Sequence, residues 1–312
     1  MADTGKTLQP SGRVKVQGGR IRESLGERIF TVLNYVFFIL LGMATLFPFL
    51  NIIAKSFSGE AAVVSGLVTI YPIDFQTGTY QLVLGNKQFI NSFKITIIVT
   101  IIGTLSAMLM TVLAAYPLSK PHLVGRKAFL LIYVFTMLFN GGLIPTYLLM
   151  QNLGLVNTMW ALFLPTMIVV FNMLIVKNYF EALPESLEES AKLDGASTGR
   201  ILFSIILPLS KPVLATVGLF YAVALWNSYF AAMVYITAPE LKPLQLYLKE
   251  LIASTNEVMT QAGEIDVSRE LNKTPEAVQA ASIITATVPI LCVYPFLQKY
   301  FVKGVLVGSV KG

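Results

Sequence analysis

The sequence predicts an all-α membrane protein built from six transmembrane helices. Three observations predict it: 55% of the 312 residues are hydrophobic, only 13% are charged, and the apolar residues gather into six long runs. An ordinary soluble domain carries about 25% charged residues, so a chain this apolar could not cover its own surface in water. A soluble enzyme, a disordered tail and a secreted disulfide scaffold are excluded together. Cys292 is the single cysteine, which rules out an intrachain disulfide framework and any cysteine metal cluster. The net charge of +6 comes from basic residues in short segments between the runs, without the stripe that nucleic acid requires.

The runs extend from Ile29 to Ala54, Ile95 to Ser119, Ala128 to Leu149, Met159 to Val176, Pro212 to Pro239 and Ala277 to Gln298, and none contains Asp, Glu, Lys, Arg or His. Each approaches or exceeds the roughly 20 residues a helix needs to cross a hydrocarbon core about 30 Å thick. Continuous runs of this kind fit spanning helices; a closed barrel would show shorter, alternating segments.

Lysine and arginine set the orientation. Sixteen of them fall on one side: Lys6, Arg13, Lys15, Arg20, Arg22 and Arg28 in the N-terminal tail; Lys120, Arg126 and Lys127; Lys177, Lys192, Arg200 and Lys211; and Lys299, Lys303 and Lys311. Seven fall on the other: Lys55, Lys87, Lys94, Lys242, Lys249, Arg269 and Lys273. Positive charge is retained inside, so both termini are expected in the cytoplasm. The organisation is then a basic cytoplasmic tail, residues 1–28, and a six-helix membrane domain, residues 29–312. No small-residue cleavage site closes the first run, which reads as an uncleaved span.

Two sizeable segments face outward, about residues 55–94 and 240–276. The second is acidic, has apolar residues near helical spacing from Leu241 to Leu251, and ends in Thr274-Pro275-Glu276, an N-cap opening the sixth span. It reads either as a solvated loop or as a docking surface for an external partner.

The fourth connection, about residues 181–211, is the most informative. Pro184, or Ser186 with Glu189 three residues on, starts a helix, and Gly195 ends it through a left-handed cap. The result is about ten residues and about 15 Å of helix outside the bilayer. Leu183, Leu187 and Ala191 share one face, while Glu185, Glu188 and Lys192 take the polar side. Ser190, Ala191, Gly195 and Ala196 are small enough for another backbone to approach. Such a helix either rests on lipid headgroups or inserts into a cytoplasmic protein, and its mostly acidic polar face favours the protein.

Glu189-Ser190-Ala191, Asp194-Gly195-Ala196, then Phe203, Ile205, Leu207-Pro208 and Pro212 resemble the "EAA" loop of permease subunits of binding-protein-dependent ABC importers. Ser190 departs from the usual second alanine. The run from Phe139 to Tyr147, Trp226-Asn227-Ser228-Tyr229 and the stretch Gln298 to Gly304 resemble the carbohydrate branch, the MalG-like and YtcP/LplC-like permeases. The resemblance implies a type I importer permease fold and a second, homologous permease as heterodimer partner. It also implies two cytoplasmic ATPase subunits that bind ATP and Mg, and an extracellular solute-binding protein delivering sugar or oligosaccharide, with a bias to complex or uronate-containing oligosaccharides over simple sugars. By the same resemblance Glu188, Glu189, Ser190, Ala191, Asp194, Gly195 and Ala196 form the coupling helix that docks on an ATPase. No cofactor and no catalytic residue is expected on this chain: Gly5-Lys6-Thr7 matches only the end of a phosphate-binding loop.

For the substrate pathway the residues of interest are Asn140, Asn172, Trp226, Asn227 and Tyr229. Asn140-Gly141-Gly142 and Pro145 interrupt the third span about 18 Å in, and Trp226-Asn227 lie about 21 to 23 Å into the fifth. Broken backbone at that depth must be buried in protein or line a water-filled cavity. Helix-to-helix hydrogen bonding explains the asparagines equally well, and packing explains Trp226 and Tyr229. The single histidine, His122, sits in a basic turn and is expected to be solvated. A secondary transporter or channel uncoupled from ATP is the rival reading; an ion-coupled transporter would place ionisable groups inside its spans.

Overall fold

The structure, a computed structural model, describes residues 24–261 and 275–309. Lys6, Arg13, Lys15, Arg20, Arg22, Arg269, Lys273, Lys311 and the Thr274 cap lie outside the described residues. Among the described residues every regular element is helical. The chain forms two units, one through Phe49 and one from Leu50 onward. In order the helices are α1 (Leu25–Ser56), α2 (Glu60–Val64), α3 (Gly78–Gly85), α4 (Lys87–Leu118), α5 (Arg126–Leu138), α6 (Leu143–Asn152), α7 (Trp160–Phe163) and α8 (Val170–Glu181). They continue with α9 (Ser186–Leu193), α10 (Thr198–Ile201), α11 (Leu207–Leu209), α12 (Lys211–Trp226), α13 (Phe230–Tyr235), α14 (Leu244–Gln261) and α15 (Pro275–Ser309).

Among the described residues three stretches are long and apolar enough to cross a membrane alone: α1, α4 and residues Pro275–Cys292 of α15. Among the described residues three bent pairs are long and apolar enough when taken together: α5 with α6 at 112°, Trp160–Thr166 with α8 at 50°, and Thr198–Leu209 with α12 at 84°. Counting each pair once brings the spans to six.

The first bend is held by local turn chemistry and the second by a contact from another helix. Between α5 and α6 the Asn140 Oδ1 accepts the Gly142 N–H (2.9 Å), and Gly142 adopts a φ of +94°, so the chain turns where the sequence shows its Asn-Gly-Gly. The fourth run was expected to be unbroken, yet it bends at residues 167–169, after the turn Leu164–Thr166 that contains Pro165. A freed backbone N–H at this depth needs a partner. Val169 donates to the Tyr221 hydroxyl of α12 (3.0 Å), which in turn lies 2.7 Å from Thr111 Oγ1 of α4. The fifth run also departs from the single helix expected over Pro212 to Pro239. α12 stops at Trp226, where the Asn227 amide folds back to donate to the Val223 carbonyl (2.8 Å), and the chain restarts as the short α13.

The core of the second unit is the meeting of α4, α8 and α12 with the segment from α9 to α11. Met173, Val176, Ile201, Ile206 and Val217 are fully buried within it. Gly103 lets α4 approach closely, since a Cβ there would come within 2.7 Å of Leu225 Cδ1 and 3.0 Å of Phe163 Cβ. At its other end α4 holds the chain entering α14: Thr96 Oγ1 accepts the Leu244 N–H (2.8 Å), Asn91 donates to the Glu240 carbonyl (2.7 Å), and Gln88 donates to that of Pro239 (2.6 Å).

Candidate functional site

The fourth connection folds as the sequence suggests at its end and differently at its start. Gly195 has a φ of +79°; its N–H donates to the Lys192 carbonyl (3.0 Å) and the Ala196 N–H to that of Ala191 (2.9 Å). Those two bonds are the paired closure of a helix through a left-handed glycine. At the other end Ser186 is already helical, so it forms no capping box with Glu189. The Pro184 and Glu185 carbonyls receive the first amides instead, from Leu187, Glu188 and Glu189.

The helix turns Glu188 and Ala191 inward. Ala191 packs into the main core, joined by the half-buried Leu183 and Ala196. Glu188 corrects the expectation of a free polar side: only 6% of it is exposed, and its carboxylate pairs with Lys120 Nζ from the turn after α4. It lies three residues before Ala191 and so shares its face. A carboxylate on that face must be paired, and Lys120 is the cation in reach. Lys120 also sits 4.7 Å over the buried Tyr116 ring. Glu185, Glu189, Ser190, Lys192, Leu193 and Asp194 are left on the outer surface. Leu193, 90% exposed, is the residue that sequence reasoning missed: it falls off the Leu183, Leu187, Ala191 stripe and projects an apolar side chain outward.

A second set of charges surrounds the first. Arg126 Nε donates to the Leu118 carbonyl at the end of α4 (2.8 Å), its guanidinium pairs with Glu181 of α8, and Lys177 pairs with the same carboxylate (2.6 Å). Beyond Gly195, Ser197 caps α10 by accepting the Arg200 N–H (3.4 Å). A π-helical turn, Leu202–Ile206, follows before the 84° bend, with Leu202 and Ile206 buried and Phe203 exposed. The buried Ser210 hydroxyl at that bend has no hydrogen-bond partner among the described residues.

The pathway residues do not converge on one pocket. Asn140 is exposed at the α5–α6 break, whereas Asn172 is buried in α8. Trp226 is buried against Phe93, edge to face at 6.1 Å, with its indole N–H unpartnered among the described residues. Asn227 is exposed, and Tyr229 carries Lys249 Nζ 4.2 Å over its ring. Outside the spans a groove of about 380 Å³ is lined by residues including Gln88, Lys242, Tyr247 and Glu250, with Lys242 and Glu250 paired at 2.7 Å. Burial raises the Tyr247 phenol above its ordinary value. His122 is exposed, and among the described residues no three His, Cys, Asp or Glu side chains gather as a metal site would need.

This architecture has known counterparts. The chain is 44% identical to LplC of Bacillus subtilis over 91% of its own length and 96% of that protein's. It is 41% identical to the polygalacturonan/rhamnogalacturonan transport system permease YtcP of the same organism, over 92% and 99%. It superposes with a TM-score of 0.84 and 38% identity on a chain of a bacterial ABC transporter involved in importing the acidic polysaccharide alginate, covering 89% of this chain and 99% of that one. Residues 108–307, which hold α9 and the bent spans around it, match the model of the binding-protein-dependent transport system inner membrane components, and the chain belongs to that family of ABC permeases.

Proposed function

We propose that this chain is one of two permease subunits of an ABC importer that moves acidic oligosaccharides, delivered by an extracellular binding protein, using ATP hydrolysed with Mg on separate cytoplasmic subunits. The observation that carries the reading is α9: an eight-residue helix outside the spans, seated on the bundle by Glu188 and Ala191, with Glu189, Ser190, Leu193 and Asp194 facing away from it. An exposed leucine flanked by carboxylates suits a groove that has an apolar floor and basic walls, the arrangement of a helix docked into a partner protein. It suits headgroups less, because anionic lipid repels Glu189 and Asp194.

The choice of substrate is supported by the polygalacturonan and alginate systems to which this chain is similar. Their glycans carry carboxylates and offer hydroxyls and ring faces, so asparagine amides, an aromatic ring and a lysine are suitable partners. Asn140, Asn227 and Tyr229 are exposed, and Lys249 stands over Tyr229. The open backbone at residues 139–142 could not face lipid, which supports a second permease or a water-filled path beside it. Asn172 and Trp226 act behind that surface, as buried supports.

The test is co-purification of the assembled transporter in mild detergent. Leu193→Asp leaves this chain folded, since the side chain touches solvent, but it is expected to lower recovery of the ATPase subunits by about tenfold, as loss of one buried anchor at an interface does. Undiminished recovery together with undiminished substrate-stimulated hydrolysis would overturn the docking assignment.

A further inference from the structure

In the Lys120–Glu188 pair the carboxylate is buried and the ammonium half-buried, where an apolar contact would serve stability equally well. Its members come from different parts of the chain: Glu188 from α9, and Lys120 from the turn that ends α4. Lys120 is fixed by the Tyr116 ring beneath it, and Tyr116 packs edge-on against Phe180 at 6.3 Å. Arg126 holds the last carbonyl of the same helix and ties it to Glu181. At the opposite end of this 32-residue helix, Gln88, Asn91 and Thr96 grip the backbone of Pro239, Glu240 and Leu244. One rigid element thus joins α9 to the segment leading into α14.

We propose that Lys120 and Glu188 are positioning residues that make α9 and the end of α4 move as one body, so that displacement of α9 by an ATPase reaches the outer segment at residues 239–244 through α4. Glu188 then serves coupling from within the chain and contributes nothing to docking. The inference rests on α9 being the docking helix, and its test separates the two. A partner's push on α9 could be lost in local rocking of so short a helix; this ion pair resists rocking because separating the charges leaves the buried Glu188 carboxylate desolvated and alone.

The experiment uses the complete transporter in proteoliposomes and reads three quantities: ATPase subunits recovered, stimulated hydrolysis, and oligosaccharide taken up per ATP. Glu188→Gln and Lys120→Met are expected to recover the ATPases at the wild-type level and to lose about tenfold in uptake per ATP, the scale of a coupling energy between contacting groups. The exchanged pair, Lys120→Glu with Glu188→Lys, is expected to regain most of that loss. Should the exchanged chain fail to fold, Lys120→Arg takes its place, keeping uptake per ATP near wild type where Lys120→Met loses it. Wild-type uptake per ATP in Glu188→Gln and Lys120→Met overturns the inference while leaving docking intact. Loss of ATPase subunits from Glu188→Gln also overturns it, by making Glu188 a docking residue. Full ATPase recovery together with full stimulated hydrolysis in Leu193→Asp, in contrast, removes the docking reading on which the inference stands.

Discussion

Gly195 combines a φ of +79° with open space, for a Cβ added there would meet nothing within 4 Å. Within this chain its requirement is therefore conformational: of the two roles the sequence suggests, a left-handed cap and smallness for a close approach, the cap is the one the chain itself uses. The two explanations separate by substitution. Asparagine tolerates the left-handed region and should keep α9 closed, so Gly195→Asn is expected to retain substrate-stimulated hydrolysis. Gly195→Val strains the backbone by about 1–3 kcal/mol and should fray the helix end, leaving membrane insertion intact and stimulated hydrolysis largely lost. Equal loss in both variants, measured in the assembled complex, would mean that bulk against a partner decides. Other residues resisted sequence reading for a physical reason. Glu188 and Lys120 stand 68 positions apart, and no local pattern records that they pair. Leu193 needed the actual roll of α9 about its axis before its exposure could be seen.

At the scale of elements, the spans were legible wherever hydropathy alone decides, and their bends only where turn chemistry is local. Asn140-Gly141-Gly142 announces the break between α5 and α6, because an asparagine side chain bonding two residues on and a positive φ are properties of the tripeptide itself. The bend before α8 depends on Tyr221 from another helix receiving the Val169 N–H, and Pro165 alone did not reveal it. Tyr221→Phe should leave that amide unpaired in a dry interior, costing about 1–3 kcal/mol and lowering the melting temperature in detergent; an unchanged melting curve would show that the bend is held by other contacts. The α4 crossing offers a parallel case. Gly103→Leu must push aside Leu225 and Phe163, and overpacking of this kind costs about 1–3 kcal/mol, so a similar loss of thermal stability is expected.

For the whole molecule, the distribution of lysine and arginine predicts both termini in the cytoplasm and residues 55–94 outside. A fluorescent protein fused after Gly312 should therefore fluoresce, and alkaline phosphatase inserted near Gly66 should be active; the opposite pair of results would invert the topology and put α9 on the wrong side for ATP. The proposed function accounts for active transport by a chain whose predicted runs hold no ionisable residue: in it, the energy enters at the cytoplasmic edge, through the short helix α9. The most direct measurement of that claim exploits the single native cysteine. In a Cys292→Ser background, Ser190→Cys puts one exposed thiol on α9 of the assembled transporter. The account expects a short cross-linker to join it to an ATPase subunit, with the yield changing when nucleotide is added. A thiol that reacts only with lipid-soluble reagents and yields no product with an ATPase would contradict it.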